Sequence, residues 1–307
     1  PYLYRTENFG LTWELITDNI KNENFTRVLR ADPAKKGLLY AGTESGLYIS
    51  FDDGNSWKSF QQNLPIVPIT DLTIKDNSLI VATQGRSLWM IDDLTVLHQL
   101  PNSNKDPHLF NPKPTYRLRG DGGKSSLTMG TNKPNGVEVH YYIPSYEKGS
   151  DTVELSFYDE KGNEIKKFST SDDDNKLEVK EGGNVFVWDY KYPGAEKFEG
   201  MVMWSASLNG AKAVPGTYQV RLSVNNFKSE NSFEILKSPT SESSIEQMRE
   251  QFNFVNQINK TISNAHQSIK KIRKTKLKLN EFLTNFSDNK DAVNIIKKAN
   301  FLIDSLS

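Results

Sequence analysis

The chain contains no cysteine, which excludes disulfides, thiolate nucleophiles and sulfur-ligated metals and leaves both reducing and oxidising compartments open. It also lacks charge of one sign. Its 38 basic and 38 acidic residues cancel, so no overall field favours nucleic acid or an anionic membrane surface. No uninterrupted apolar run approaches the roughly 18–20 residues that a membrane span needs. The first residues, Pro1-Tyr2-Leu3-Tyr4-Arg5, lack the pattern of a signal peptide and read as strand, so any export signal is expected upstream. Nucleophile-elbow, phosphate-loop and dinucleotide motifs are missing. His98, His108, His140 and His266 have no metal-ligand spacing, and Asp172-Asp173-Asp174 lacks the ordered oxygens and glycine of a calcium loop. The reading is of a chain with no cofactor and no metal.

What is present is a repeat. The 307 residues are enough for two or three domains of ordinary size, and the first hundred contain a motif twice. Leu3-Tyr4-Arg5-Thr6-Glu7-Asn8-Phe9-Gly10-Leu11-Thr12-Trp13 returns 44 positions later as Leu47-Tyr48-Ile49-Ser50-Phe51-Asp52-Asp53-Gly54-Asn55-Ser56-Trp57. That spacing is about one four-stranded propeller blade. Within it, Thr6, Asn8, Gly10, Thr12 and Trp13 match Ser50, Asp52, Gly54, Ser56 and Trp57. The chemistry expected of these residues is structural: a short amide or carboxylate holds its own turn, glycine supplies a positive φ, hydroxyls close the loop and the indole is buried. This motif resembles the Asp box of sialidase-like and sortilin-like β-propellers, where it lies between the third and fourth strands of a blade, away from the ligand face. The resemblance thus implies that Asp52 and Asp53 are poor catalytic candidates.

A third, degenerate copy runs from Asn77 to Asp93, parallel to Gly37 to Asp53, and its box is never completed. Pro101, Pro107, Pro112 and Pro114 then space a connector over 101–135 that cannot continue a central strand. Residues 1–100 are thus expected to be the last blades of a propeller. Two blades cannot close a ring, so the missing ones are expected before Pro1.

Alternation returns in 136–237. Val137, Val139 and Tyr141, then Val153, Leu155 and Phe157, then Tyr218, Val220, Leu222 and Val224 each occupy every second position between turn signals, which predicts a β-sandwich. Pro215-Gly216-Thr217-Tyr218-Gln219-Val220-Arg221-Leu222 resembles a late strand of immunoglobulin-like modules. Over 238–307 the period changes. Ile245, Met248, Phe252, Val255, Ile258, Ile262, Ala265, Ile269 and Ile272 predict an amphipathic helix of some thirty residues, capped by Ser243 with Glu246. Val293, Ile296, Phe301 and Leu302 predict a second helix with Asp288 as N-cap, giving a helical hairpin. The basic run Lys270, Lys271, Arg273, Lys274, Lys276 and Lys278 reads as a solvated face, since no aromatic residues interleave for base stacking.

The fold class is therefore mainly β: terminal propeller blades, an immunoglobulin-like β-sandwich and a C-terminal α-helical hairpin. The boxes, Gly85-Arg86-Ser87-Leu88-Trp89-Met90-Ile91-Asp92-Asp93, Asn184-Val185-Phe186-Val187-Trp188-Asp189-Tyr190 and Ala213-Val214-Pro215-Gly216-Thr217-Tyr218 together resemble bacterial sortilin-like, BNR-repeat propeller proteins, often named glycosyl hydrolases. The resemblance implies an exported protein that binds a glycan, peptide or protein on its propeller face. The alternative it implies is a sialidase-like hydrolase whose site upstream blades complete. Hydrolysis needs paired carboxylates, with arginines to clamp a substrate carboxylate. Glu44 and Arg86, with Gln84, are the candidates, on loops opposite the boxes and at equivalent positions of neighbouring blades; an inter-blade ion pair is the competing role for Glu44 and Arg86. Trp188, Tyr190, Tyr192 and Trp204 alternate as either sandwich core or a platform for sugar rings.

Overall fold

The computed structural model describes residues 1–100, 105–118, 128, 130, 133–202, 207–286 and 293–305. The fold is mainly β, built from several antiparallel sheets, with three helices of which the last two form a C-terminal hairpin. The chain divides into two compact units, Pro1–Ser103 and Asn104–Ser307.

In the first unit, β1 (Tyr4–Arg5) pairs with β2 (Glu14–Leu15). The strands β3 (Thr26–Ala31), β4 (Leu39–Thr43), β5 (Gly46–Ser50) and β6 (Lys58–Ser59) form a four-stranded meander. The next sheet has only three strands, β7 (Ile69–Lys75), β8 (Ser78–Thr83) and β9 (Leu88–Ile91). The middle strands β4 and β5 are buried at every residue, so both faces of that sheet carry apolar side chains. The larger sheets share an irregularity: β3 bulges between Thr26 and Val28 opposite β4, and β7 bulges between Ile69 and Asp71 opposite β8. Each bulge puts one extra residue, Arg27 or Thr70, outside the ladder. Gly42 is needed where β4 meets its neighbours, because a Cβ there would lie 2.6 Å from Ile69 and 2.7 Å from Val28. After β9 a fourth strand is replaced by α1 (Thr95–Gln99), with Leu94 fully buried before it.

Two apolar clusters hold this unit. Leu38, Tyr40, Leu47, Ile49, Ile69, Leu72, Leu79 and Val81 bind the four- and three-stranded sheets. Leu3, Ile16 and Ile20 pack against Leu39, Tyr48 and Trp57. The two box tryptophans differ sharply: Trp57 is 2% exposed and Trp13 61%. The expectation that both indoles are buried thus fails for Trp13, because Trp57 has Leu3, Ile16 and Ile20 to cover it and Trp13 has no such group among the described residues.

In the second unit, β10 (His108–Leu109), β12 (Val137–Ile143) and β15 (Gly182–Trp188) form one sheet. The other, in the order β11-β17-β16-β13-β14, uses β11 (Thr115–Arg117), β13 (Val153–Tyr158), β14 (Glu164–Ser169), β16 (Gly216–Val224) and β17 (Phe227–Lys237). Alternate residues of β12 and β16 point into one core shared by both sheets. There Phe157 stacks on Trp188 with ring centroids 4.7 Å apart. Strands β10 and β11 come from the stretch read as a proline-spaced connector. They are edge strands, β11 parallel to β17, and an edge is where flanking prolines are tolerated.

The first long helix, α2 (Ile245–Phe286), has 42 residues and exceeds the expected thirty. Its cap is one residue later than expected: the Gln247 amide donates to Ser244 Oγ at 3.2 Å, and Ser244 N donates to Gln247 Oε1 at 2.9 Å. The basic run is only partly solvated. Lys270 pairs with Glu196 at 2.6 Å, and Arg273 donates to the Glu199 carbonyl while lying over Phe198. These contacts join Asn259, whose amide donates to the Asn209 carbonyl, and Ser263, which accepts from Glu196 N, in seating α2 on the 196–209 segment. The last helix is α3 (Val293–Ser305); the expected cap Asp288 lies outside the described residues.

The contrast between the tryptophans yields a test. Trp57→Ala should cost about 3–5 kcal/mol, the usual range for emptying a buried aromatic site, whereas Trp13→Ala should stay within about 1 kcal/mol. Urea unfolding of the N-terminal unit measures both, and equal losses would contradict the packing described.

Candidate functional site

The two boxes close on the same network. In the second, Ser50 Oγ donates to Asp52 Oδ1 at 2.7 Å and accepts from Gly54 N at 2.9 Å. Ser56 then supplies both its amide, at 2.9 Å, and its hydroxyl, at 2.6 Å, to the Asp52 carboxylate. In the first, Thr6 Oγ1 donates to Asn8 Oδ1 and accepts from Gly10 N, and Thr12 N donates to Asn8 Oδ1 at 2.8 Å. The extra Asn8 amide hydrogen goes to Thr12 Oγ1 at 2.8 Å. Amide and carboxylate are interchangeable in this turn because the position mainly accepts. Gly10 and Gly54 have φ of 91° and 87°, and at Gly54 a Cβ would also strike Ile16 at 2.6 Å. Trp57 Nε1 donates to the Ile16 carbonyl at 2.8 Å; Trp13 Nε1 reaches only its own turn, at Gly10. Arg5 adds a bridge, donating to the Asp53 carbonyl and pairing with Glu14 at 2.7 Å. The acids of the second box are thus occupied by the turn and by Arg5.

At the opposite end of the strands lie the loops with the sequence candidates. Thr43 Oγ1 donates to the Gly46 carbonyl, and Thr83 Oγ1 to that of Ser87; Glu44 N donates to the Phe25 carbonyl, and Gln84 N to that of Pro68. Glu44 therefore corresponds to Gln84. The expected equivalence of Glu44 and Arg86 fails: Arg86 lies two residues beyond Gln84, on a β8–β9 loop that is also one residue longer. Leu39 pairs with Ser50 and Gly42 with Leu47, but Leu79 pairs with Ile91 and Ala82 with Leu88, and the added residue falls in the loop. Glu44 is held by Arg27, whose Nε and Nη2 both lie 2.5 Å from Glu44 Oε2. Arg27 is the residue that the β3 bulge pushes out, and it also covers the Phe25 ring. Sequence reasoning missed it because a bulge leaves no mark in an alternation pattern. Arg86 is exposed and makes no ion pair among the described residues; its carbonyl accepts from Trp89 Nε1 at 2.9 Å.

A buried acid also escaped the sequence. Asp32 accepts hydrogen bonds from Tyr40 Oη at 3.1 Å and from the amides of Ala34 and Lys35, with His98 Nε2 at 2.9 Å. Burial alone would raise its pKa, but the bonds from His98, Ala34 and Tyr40 outweigh it and hold the carboxyl below the usual range. Burial and the Asp32 charge push the Tyr40 phenol up. With four partners the carboxylate has no lone pair directed at a substrate. It ties α1 to the start of the β3–β4 turn.

In the second unit, Trp188 and Tyr190 are core residues, 0% and 1% exposed, so the alternative of a four-residue sugar platform does not hold for them. Trp204 lies outside the described residues. Tyr192 alone of the described three is half-buried, and it lines a cleft of about 370 Å3 beside Phe252 of α2. Among the described residues no three His, Asp or Glu converge as metal ligands, and no helix is long and apolar enough to cross a membrane. No protein-family model and no curated protein matches the chain.

The box network predicts an acid response. Burial would raise the Asp52 carboxyl, but the bonds from Ser56 and Ser50 prevail and lower it. A depressed folded-state pKa contributes stability above the unfolded value of about 3.9, lost as pH falls through the folded value. Asp52→Asn, which installs the amide already present at Asn8, should fold at neutral pH and show a shallower loss of stability below about pH 4. Circular dichroism across pH measures it; an unchanged acid profile would contradict the assignment.

Proposed function

We propose that this chain is the C-terminal part of an exported sortilin-like, BNR-repeat propeller protein, and that it binds and scaffolds. On this reading, residues 1–100 are Asp-box blades, the two-sheet unit is an immunoglobulin-like sandwich and the helices brace it. The loops at Glu44, Gln84 and Arg86 contribute to a face that takes a glycan, peptide or protein. The observation that carries binding over hydrolysis is the state of the carboxylates: Glu44 is held by Arg27, and Asp52 is closed into its turn. A glycosidase needs two carboxyl groups facing one bond, one able to give a proton and one to attack or to activate water. The free charge on these loops is instead a cation, Arg86, suited to gripping a carboxylate or other anionic group. The exposed indole of Trp13, against the covered one of Trp57, suits a further blade packed there as Leu3, Ile16 and Ile20 pack over Trp57.

A glycan and peptide array, followed by mass analysis of every bound species, tests this reading. The expected result is retained ligand of unchanged mass, with signal weakened by Arg86→Ala or Gln84→Ala. A cleaved glycan whose production stops in Glu44→Gln would overturn it in favour of the sialidase-like alternative.

A further inference from the structure

The cleft beside Tyr192 has a construction that neither the boxes nor the N-terminal loops require. It lies within the second unit, between the turn after β13, the start of β16 and the first turns of α2. Its 370 Å3 falls at the small end of the roughly 300–1,000 Å3 that ligand clefts occupy. Tyr192 and Phe252 meet edge to face, with centroids 4.7 Å apart and planes at 75°, and give the cleft an aromatic wall. Tyr218 lies beneath, its hydroxyl fixed to the Val214 carbonyl at 2.7 Å.

The rim is polar and electrically balanced. Two acids, Asp159 and Glu160, and two bases, Lys161 and Arg249, line it together with Asn163 and Asn253. Asp159 is occupied by its own turn, accepting from the amides of Lys161 and Asn163 and from the Asn163 side chain. That turn is therefore fixed, while the side chains of Glu160, Lys161 and Asn253 make no hydrogen bond among the described residues. An anionic ligand would meet Glu160, and a cationic one would meet Lys161 and Arg249. A neutral ring bearing many hydroxyls meets neither penalty. Each hydroxyl both donates and accepts, so it satisfies Glu160 as readily as Lys161 or Asn253, and the apolar C–H face of the ring packs on Tyr192 and Phe252.

We propose that this cleft is a binding site for a neutral saccharide. It is a separate proposal from the ligand face of the N-terminal loops, and its test uses residues of the second unit only. The experiment is saturation-transfer NMR and calorimetric titration of the full chain with glucose, galactose, mannose, N-acetylglucosamine, cellobiose and maltose. N-acetylneuraminic acid and glucosamine serve as charged counter-probes. At least one neutral sugar should bind saturably. Asn253→Ala and Glu160→Ala should each weaken it by about fivefold, the loss of one ordinary hydrogen bond, with melting temperature unchanged because both side chains are exposed. Lys274→Ala, about 30 Å further along α2, is the control and should bind as wild type. Saturable binding by none of the neutral sugars, stronger binding of a charged probe, or wild-type affinity in both rim variants would overturn the proposal.

Discussion

The N-terminal unit depends on one contact, the indole of Trp57 set behind the first box-bearing sheet with its Nε1 on the Ile16 carbonyl. A tryptophan can bury its large apolar body there only because its single donor finds a partner. The box turn delivers it. Ser50, Asp52 and Ser56 fix the loop, and Gly54 lets the loop come so close to Ile16 that no side chain fits between them. Leu3, Ile16 and Ile20 close over the ring. The polar residues of the motif are thus means to an apolar end, which is why the acid among them has no chemistry left to perform.

The same logic explains the difference between the two boxes. They share the bonds that the central Asn8 or Asp52 oxygen and the Thr6 or Ser50 hydroxyl make to the turn, yet Trp13 remains exposed with Phe9 and Leu11. The motif forms its loop locally, but the burial of its tryptophan depends on a neighbouring sheet. The incomplete third copy is a different solution. Asp93 keeps the turn-holding role, accepting from Thr95 N and from the Asn77 side chain, but it starts a short helix instead of a box. The buried Asp32–His98 contact then holds that helix down.

The parts of the fold legible in the sequence were those where a period met a turn signal: the alternation of β12, β13 and β16, the apolar stripe of α2 and the box itself. Strands β10 and β11 were hidden because two or three residues beside prolines carry no period. The correspondence of Glu44 with Gln84 instead of Arg86 was already implied by the alignment of Gly37 to Asp53 with Asn77 to Asp93, and only the extra residue later in the loop was hidden. Arg27 was hidden because its role arises from a bulge. The candidate loops were therefore found, but their electrostatics were not: a carboxylate that looked available is already paired, and the available charge lies on an arginine. The cleft beside Tyr192 joins residues nearly a hundred positions apart, a juxtaposition visible only once α2 has been seated on the two-sheet unit.

The claim that the box is a structural staple is tested most directly by indole N–H exchange, followed by NMR for Trp57 and Trp13 in the same sample. The Trp57 proton should exchange only through unfolding of the N-terminal unit, while the Trp13 proton, bonded within its own exposed turn, should exchange orders of magnitude faster. Equal rates for the two would contradict the claim and remove the basis for treating Asp52 as structural.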